Sequence, residues 1–238
     1  MDQPILIACA HGTDNPLGRA EINRLREQIA SLRPGLRVLE AYVDVQRPSL
    51  EEVLAGLPGG VPAVVVPLLL SVGYHVEVDI PRAVAGRART TAAAPLGPDP
   101  RLAEVLAERL RALPGFDREW GVVLAAAGSS KPGAAKAVEI TAKQLGALIS
   151  QPVLAAFGAS AEPKPPAAVE HLRRESAKVA IASYLLAPGF FHDQLARAGA
   201  DAVSAPLLPA PVIAQIALDR YDAVANQRDE EDRNAVPS

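Results

Sequence analysis

A chain of 238 residues, 49% apolar and 21% charged, can bury a sizeable core, which excludes disorder of the whole chain and leaves one large domain or two small ones open. Its 24 basic and 27 acidic residues leave a formal charge of −3, which argues against a nucleic-acid binder resting on a basic surface. A single cysteine, Cys9, excludes a disulfide framework and a four-cysteine zinc module.

Pro4–Ala10 is a short continuous apolar run ending at His11-Gly12, the pattern of a parallel strand covered on both faces. Thr13-Asp14-Asn15-Pro16 then offers capping residues and a proline suited to a helix start, and Arg19–Leu32 places Ile22, Leu25, Ile29 and Leu32 at helical spacing. Leu36–Val45 reads as a second strand. Ser49 opens a helix with Leu50, Val53, Leu54 and Leu57 on one face, and Val61–Leu70 is a third strand that runs into the loop Ser71–His75. That run is broken by Pro62 and Pro67 and falls well short of the ~20 residues a membrane span needs. With no signal-peptide pattern at the N-terminus, a cytoplasmic protein without membrane contact is expected.

Residues 92–100 read as a connection and Leu102–Leu113 as a helix. The pattern then restarts: strand Gly121–Ala127 ending in Gly128-Ser129-Ser130, helix Ala134–Leu148, strand Pro152–Ala156, helix Pro166–Arg174 and strand Val179–Leu186. A shift of 116 sets Gly12 on Gly128, Leu69 and Leu70 on Leu185 and Leu186, and Gly73 on Gly189. A shift of 115 sets Ala41 on Ala156, Tyr42 on Phe157 and Pro48 on Pro163. Coincidence of glycines and a proline with the strand ends predicts duplication. The fold class expected is α/β: two similar lobes, each a parallel sheet flanked by helices, facing each other across a cleft. The lobes span residues 1–115 and 116–226, and the polar residues 227–238 are expected to be a disordered tail.

Ligands of parallel sheets bind beyond the carboxyl ends of the strands. That rule singles out His11 after the first strand, Asp44 late in the second and His75 after the third. A lone histidine at a strand end is usually a surface or hydrogen-bonded residue, and aspartate commonly caps turns. Two imidazoles and a carboxylate converging from neighbouring strands, however, make an open site for a late first-row divalent metal. His171 reads as solvated, and His192, after Pro188-Gly189, is a weaker candidate for the cleft. Gly128-Ser129-Ser130-Lys131 is a faint anion-binding signal, and neither GxxxxGK[ST], GxGxxG nor GxSxG is present.

The strings AHGTDNP, AYVDVQRPSL and VPLLLSVGYHVEVDIP together resemble the class II chelatases acting on sirohydrochlorin, the CbiX-type cobaltochelatases and ferrochelatases. The resemblance covers residues 4–90 well and the second lobe more loosely, as a degraded copy. It implies two chelatase-like lobes and insertion of Fe²⁺ or Co²⁺ into sirohydrochlorin, for siroheme or cobalamin synthesis, with release of two protons. His11 and His75 would hold the metal and serve catalysis, with Asp44 assisting where the family usually has glutamate. A histidine of near-neutral pKa could also accept the macrocycle's protons. Thr13 replaces the commoner serine.

Under the repeat alignment His11, Asp44 and His75 fall on Ala127, Ala159 and Phe191, so one metal site per chain is expected. Because the substrate is a polycarboxylate, Arg47 and Arg82 are expected to contact it, with Lys131 nearby. No permanently bound cofactor is implied: the metal is a substrate and the tetrapyrrole the partner. Fusion of two lobes makes a monomer the expected state. The competing readings are a chelatase for another metal such as nickel, and a metal or tetrapyrrole carrier without turnover.

Overall fold

The computed structural model describes residues 3–129 and 131–234, so Ser130 and tail residues 235–238 fall outside it. The continuous apolar runs form parallel strands. In the first lobe these are β1 (Ile5–Ala10), β2 (Val38–Tyr42), β3 (Ala63–Pro67) and an edge strand, β4 (Thr90–Ala92), in the order β2-β1-β3-β4. In the second lobe β5 (Gly121–Ala126), β6 (Val153–Phe157), β7 (Val179–Tyr184) and β8 (Ala202–Val203) run in the order β6-β5-β7-β8. Identical wiring in both halves is the expected duplication.

Eight α-helices are described: α1 (Pro16–Leu32), α2 (Leu50–Gly56), α3 (Ile80–Val84), α4 (Pro100–Arg111), α5 (Pro132–Ile149), α6 (Pro165–Leu172), α7 (Phe190–Leu195) and α8 (Pro211–Asn234). A π-helical turn, His75–Asp79, leads into α3. Local chemistry sets several starts. The Asn15 side chain accepts from Leu17 N at 2.9 Å and Gly18 N at 3.0 Å, and Ser49 and Glu52 form a reciprocal capping box on α2.

Strand periodicity divides the interior. Leu6, Ala8 and Ala10 of β1 face a central core shared with Val122, Leu124 and Ala126 of β5, whereas Ile5, Ile7 and Cys9 face an outer core closed by Leu50, Leu54 and Ile80. Val123 and Ala125 face a second outer core with Ala168, Val169 and Leu195. Helices α1, α4, α5 and α8 therefore lie between the two sheets, and α2, α3, α6 and α7 cover the outsides.

The helix that closes each half packs on the other half: α4 lies against α5 and β7, and α8 against α1 and β3. Arginines pin the exchange. Arg109 of α4 donates to the carbonyls of Pro206 (3.3 Å), Leu207 (3.2 Å) and Pro209 (2.7 Å). Arg220 of α8 donates to those of Pro95 (2.9 Å), Leu96 (3.1 Å) and Pro98 (3.5 Å). Each of these four pairs is 111 residues apart in sequence, so the clamp itself is duplicated. Asp99, its side chain 7% exposed, adds ion pairs to Arg101 at 2.9 Å and Arg220 at 3.2 Å. Burial alone would raise the Asp99 carboxyl, but hydrogen bonds from Arg101 and the charges of Arg101 and Arg220 outweigh it and hold the group below the ordinary carboxylate range.

Three expectations are corrected. Strands anticipated over 36–45 and 61–70 stop at Tyr42 and Pro67, because their last residues leave the sheet to line the cleft. The edge strands β4 and β8 and the helices after β3 and β7 were not anticipated. The segment from residue 227, expected to be disordered, continues α8 as far as Asn234. Among the described residues, no helix is long and apolar enough to cross a membrane.

Candidate metal centre and cleft

Beyond the carboxyl end of β1, the pairing with β2 persists into the loops. Val43 N donates to Ala10 O at 3.0 Å and Asp44 N to His11 O at 3.1 Å, which sets Asp44 beside His11. Gly12 between strand and helix has φ +95°, and a Cβ there would lie 2.4 Å from Asp44 O, so the position demands glycine twice over. The Asp44 loop is held by three further bonds: Val45 N to Asp44 Oδ1 (2.8 Å), Gln46 N to Asp44 O (2.5 Å) and Thr13 N to Gln46 Oε1 (2.9 Å).

His75 arrives from the other side, on the π-helical turn after β3, where Ile80 N bonds His75 O. The widened turn sets His75 over Asp79, and Nδ1–H donates to Asp79 Oδ2 at 2.7 Å. Asp79 in turn accepts from Arg82 at 3.0 Å. His11 Nδ1 lies 3.1 Å from Gly12 O, and since a carbonyl only accepts, Nδ1 carries the proton. Both imidazoles thus keep Nε2 free as a lone-pair donor, the arrangement in which an outer partner fixes the tautomer of a metal-binding histidine.

The rings meet edge to face, their centroids 4.9 Å apart at 84°. His11, Asp44 and His75 each offer a ligand atom, and the three atoms lie within 4.8 Å of one another. Bonds of ~2.0–2.2 Å span up to ~4.3 Å across one ion, so small side-chain rotations close the set. Two neutral imidazoles and one carboxylate suit a late first-row divalent cation and leave coordination positions open. All three expected metal residues therefore converge. Asp44, one methylene shorter than glutamate, reaches the site.

His11 and His75 open onto a cleft of about 840 Å³ between the lobes. The first lobe lines it with Ala10, Leu68–Leu70, Tyr74 and Val76, and the second with Ala126–Ser129, Leu185–Ala187 and Phe190–His192. Tyr74 and Phe190 in this lining are 50% and 71% exposed. Beneath them Tyr184 donates its hydroxyl to Leu70 O at 3.0 Å, and burial pushes its pKa to about 12. The lobes touch closely at the cleft's base, where a Cβ on Gly18 would lie 2.4 Å from Pro188 O.

The expectation that Arg47 and Arg82 contact the substrate is not met. Neither lines the cleft: Arg47 is ion-paired with Glu52 at the start of α2, and Arg82 is turned to Asp79. Arg82 instead donates to Asp79, the residue that accepts from His75. No lysine or arginine lines the cleft among the described residues, although Lys131 stands at its edge, 5.9 Å over the Tyr74 ring and 3.5 Å from Glu77. His192, the weaker candidate, does line it, with Nδ1 3.0 Å from Ser183 Oγ. His171 is exposed on α6, as expected. Sequence reasoning quoted Asp79 without giving it a role; its place four residues after His75, one helical turn on, was the available signal.

Several known proteins are similar to this chain. A sirohydrochlorin cobaltochelatase of Methanosarcina acetivorans is 31% identical over 78 residues, which are 32% of this chain and 60% of that protein. SirB of Bacillus subtilis, solved with Fe³⁺, superposes with a TM-score of 0.79 at 20% identity over 96% of this chain and 98% of its own. SirB from Bacillus subtilis subspecies spizizenii, described as a sirohydrochlorin chelatase in complex with cobalt, gives 0.76 at 20% identity over the same shares. A CbiX described as the terminal enzyme for siroheme biosynthesis in denitrifying bacteria gives 0.68 at 19% identity, covering 92% of this chain and 98% of its own. At these identities the three structures establish the two-lobed fold. The family model described as CbiX matches residues 5–113 and 121–224, one segment on each lobe, and the chain belongs to that family.

Proposed function

We propose that the protein inserts a divalent metal, Fe²⁺ or Co²⁺, into sirohydrochlorin, in siroheme or cobalamin synthesis. The observation that carries this reading is the convergence of His11, Asp44 and His75 beside a cleft whose lining is mainly apolar. The metal is a substrate that must leave, and three protein donors hold it while leaving positions where pyrrole nitrogens can enter and take over. The apolar walls, Tyr74 and Phe190 among them, suit the faces of a conjugated ring, and a volume of about 840 Å³ falls in the range of cofactor-sized pockets. With no lysine or arginine in the lining among the described residues, the ring's carboxylates are best accommodated projecting from the cleft's mouth, where Lys131 stands. Each turnover replaces two pyrrole N–H bonds by two nitrogen–metal bonds and releases two protons.

The test is spectrophotometric. Purified protein is mixed without oxygen with sirohydrochlorin and, separately, Fe²⁺, Co²⁺ or Ni²⁺. Faster conversion than the protein-free control with Fe²⁺ or Co²⁺ is expected. Tight tetrapyrrole binding without acceleration by any metal would make the protein a carrier and overturn the reading; acceleration by Ni²⁺ alone would reassign the metal.

A further inference from the structure

We infer that His192, on the wall opposite the metal ligands, is the base that takes the protons displaced from the tetrapyrrole. The inference rests on the chelatase reading and assigns a catalytic residue to a lobe that retains none of the metal ligands.

The reaction needs a proton acceptor, and the metal-site histidines have no nitrogen to spare. Their Nε2 lone pairs go to the metal. His75 Nδ1 is bound to Asp79 at 2.7 Å and His11 Nδ1 to Gly12 O at 3.1 Å. While they hold the metal these imidazoles have no free lone pair, so the first deprotonation calls for another group. The remaining titratable groups in the lining are Asp14, Tyr42, Tyr74, Tyr184, His192 and Asp193; of these Tyr42 is buried, its hydroxyl accepting from Arg26 at 2.9 Å. Asp14 is paired with Arg19 at 3.1 Å, and carboxylates as a class are weak bases at neutral pH. Tyr184, with its pKa at about 12, holds its proton and gives it to Leu70 O. The Tyr74 hydroxyl would have to ionise before it could accept.

His192 differs from all of these. It is half-buried at the start of α7, and its Nδ1 is anchored 3.0 Å from Ser183 Oγ. Ser183 is itself fully buried on β7, where its N–H is held by Ser204 Oγ at 3.0 Å. That anchor holds the ring from behind, and in the tautomer whose Nδ1–H donates to Ser183 Oγ the lone pair sits on Nε2. Burial lowers the His192 pKa and neighbouring Asp193 only partly offsets it, so the imidazole is neutral at physiological pH. The other titratable groups that share the lining are the two metal-site imidazoles, Asp14, Tyr42, Tyr74, Tyr184 and the adjacent Asp193. As each pyrrole N–H bond breaks, its electron pair stays on nitrogen and becomes the pair given to the metal. The proton bonds to His192 Nε2, and the resulting imidazolium releases it to water before accepting the second.

His192→Gln, which can still bond Ser183, and His192→Ala are compared with the wild type for Co²⁺ insertion into sirohydrochlorin. Co²⁺ binding in the absence of tetrapyrrole, read by visible absorption, reports on folding and on the metal site. A fall in kcat of roughly 100-fold or more is expected in both variants, the contribution of a positioned general base. KM for the tetrapyrrole and the affinity for Co²⁺ should stay unchanged, and added imidazole should partly restore His192→Ala. In the wild type kcat should fall on the acid side with an apparent pKa below the ordinary histidine value of ~6.5, and that limb should vanish in His192→Gln. Retained kcat in His192→Gln, or a loss confined to KM, overturns the inference while leaving the chelatase reading intact. Absence of wild-type turnover with every metal removes both.

Discussion

The two strand-end loops of this molecule share a backbone and almost nothing else. Gly12 and Gly128 have φ +95° and +88°, Val45 and Ser160 have φ +54° and +60°, and Asp44 N→His11 O (3.1 Å) is matched by Ala159 N→Ala127 O (2.8 Å). Where the first lobe has His11, Asp44 and His75, the second has Ala127, Ala159 and Phe191. The loops thus hold their shape without the ligands, so the ligands are an addition to the fold, not a support of it.

That comparison breaks if the metal residues prove structural. His11→Ala and His75→Ala should each abolish chelation and Co²⁺ binding. Because both side chains are at least partly exposed and their loops stand without them in the other lobe, thermal midpoints should stay within a few degrees. Leu106→Ala, in the helix that the first half lends to the second, tests whether the halves are thermodynamically separate. It should cost about 2–5 kcal/mol, and a single cooperative denaturant transition should report both lobes. Gly12→Ala and Gly128→Ala sharpen the contrast further. Their added Cβ atoms would lie 2.4 Å from Asp44 O and 2.1 Å from Ala159 O, so both should lower stability by a similar ~1–3 kcal/mol. Only Gly12→Ala should also lose Co²⁺ binding. Asp79→Asn should weaken Co²⁺ binding by roughly 10–100-fold through the freed His75 ring, with no counterpart effect in the second lobe. The smallest expected effect is on acid stability. The Asp99 carboxyl is depressed in the fold, so its stabilisation is complete above the unfolded value of ~4 and fades as pH falls through its lowered one. Asp99→Asn should flatten that part of the stability–pH curve, since its counterpart in the second clamp is Ala210.

The six main strands and the His11–Asp44–His75 cluster are visible in the sequence for the same reason. Strands buried on both faces are unbroken apolar runs, and their ends are marked by His11-Gly12 and by the loop running to His75. Other features carry no such mark. β4 and β8 are three and two residues long, below any periodic signal. α8 buries Ile213, Ala214, Ile216, Ala217 and Leu218 on several sides at once, which erases the single stripe that identifies a surface helix. The exchange of α4 and α8 depends on which sheet a helix meets, and pattern along one chain says nothing of that. Proximity in sequence likewise misled for Arg47 and Arg82, whose carboxylate partners Glu52 and Asp79 lie five and three residues away. The anchor of His192, Ser183, sits on a different element, which proximity in sequence does not reveal.

The crossing of the terminal helices bears on how a ring gets in. Each half surrenders its last helix to its twin and clamps the one it receives with an arginine, so the walls of the gap are not doors on a hinge. Prising them apart would drag Leu102, Leu106 and Leu110 out of a close-packed interior rather than flex a linker. On the proposed function, a flat guest would enter edge-on between walls held by this packing, and the slot's width would bear on which macrocycles fit.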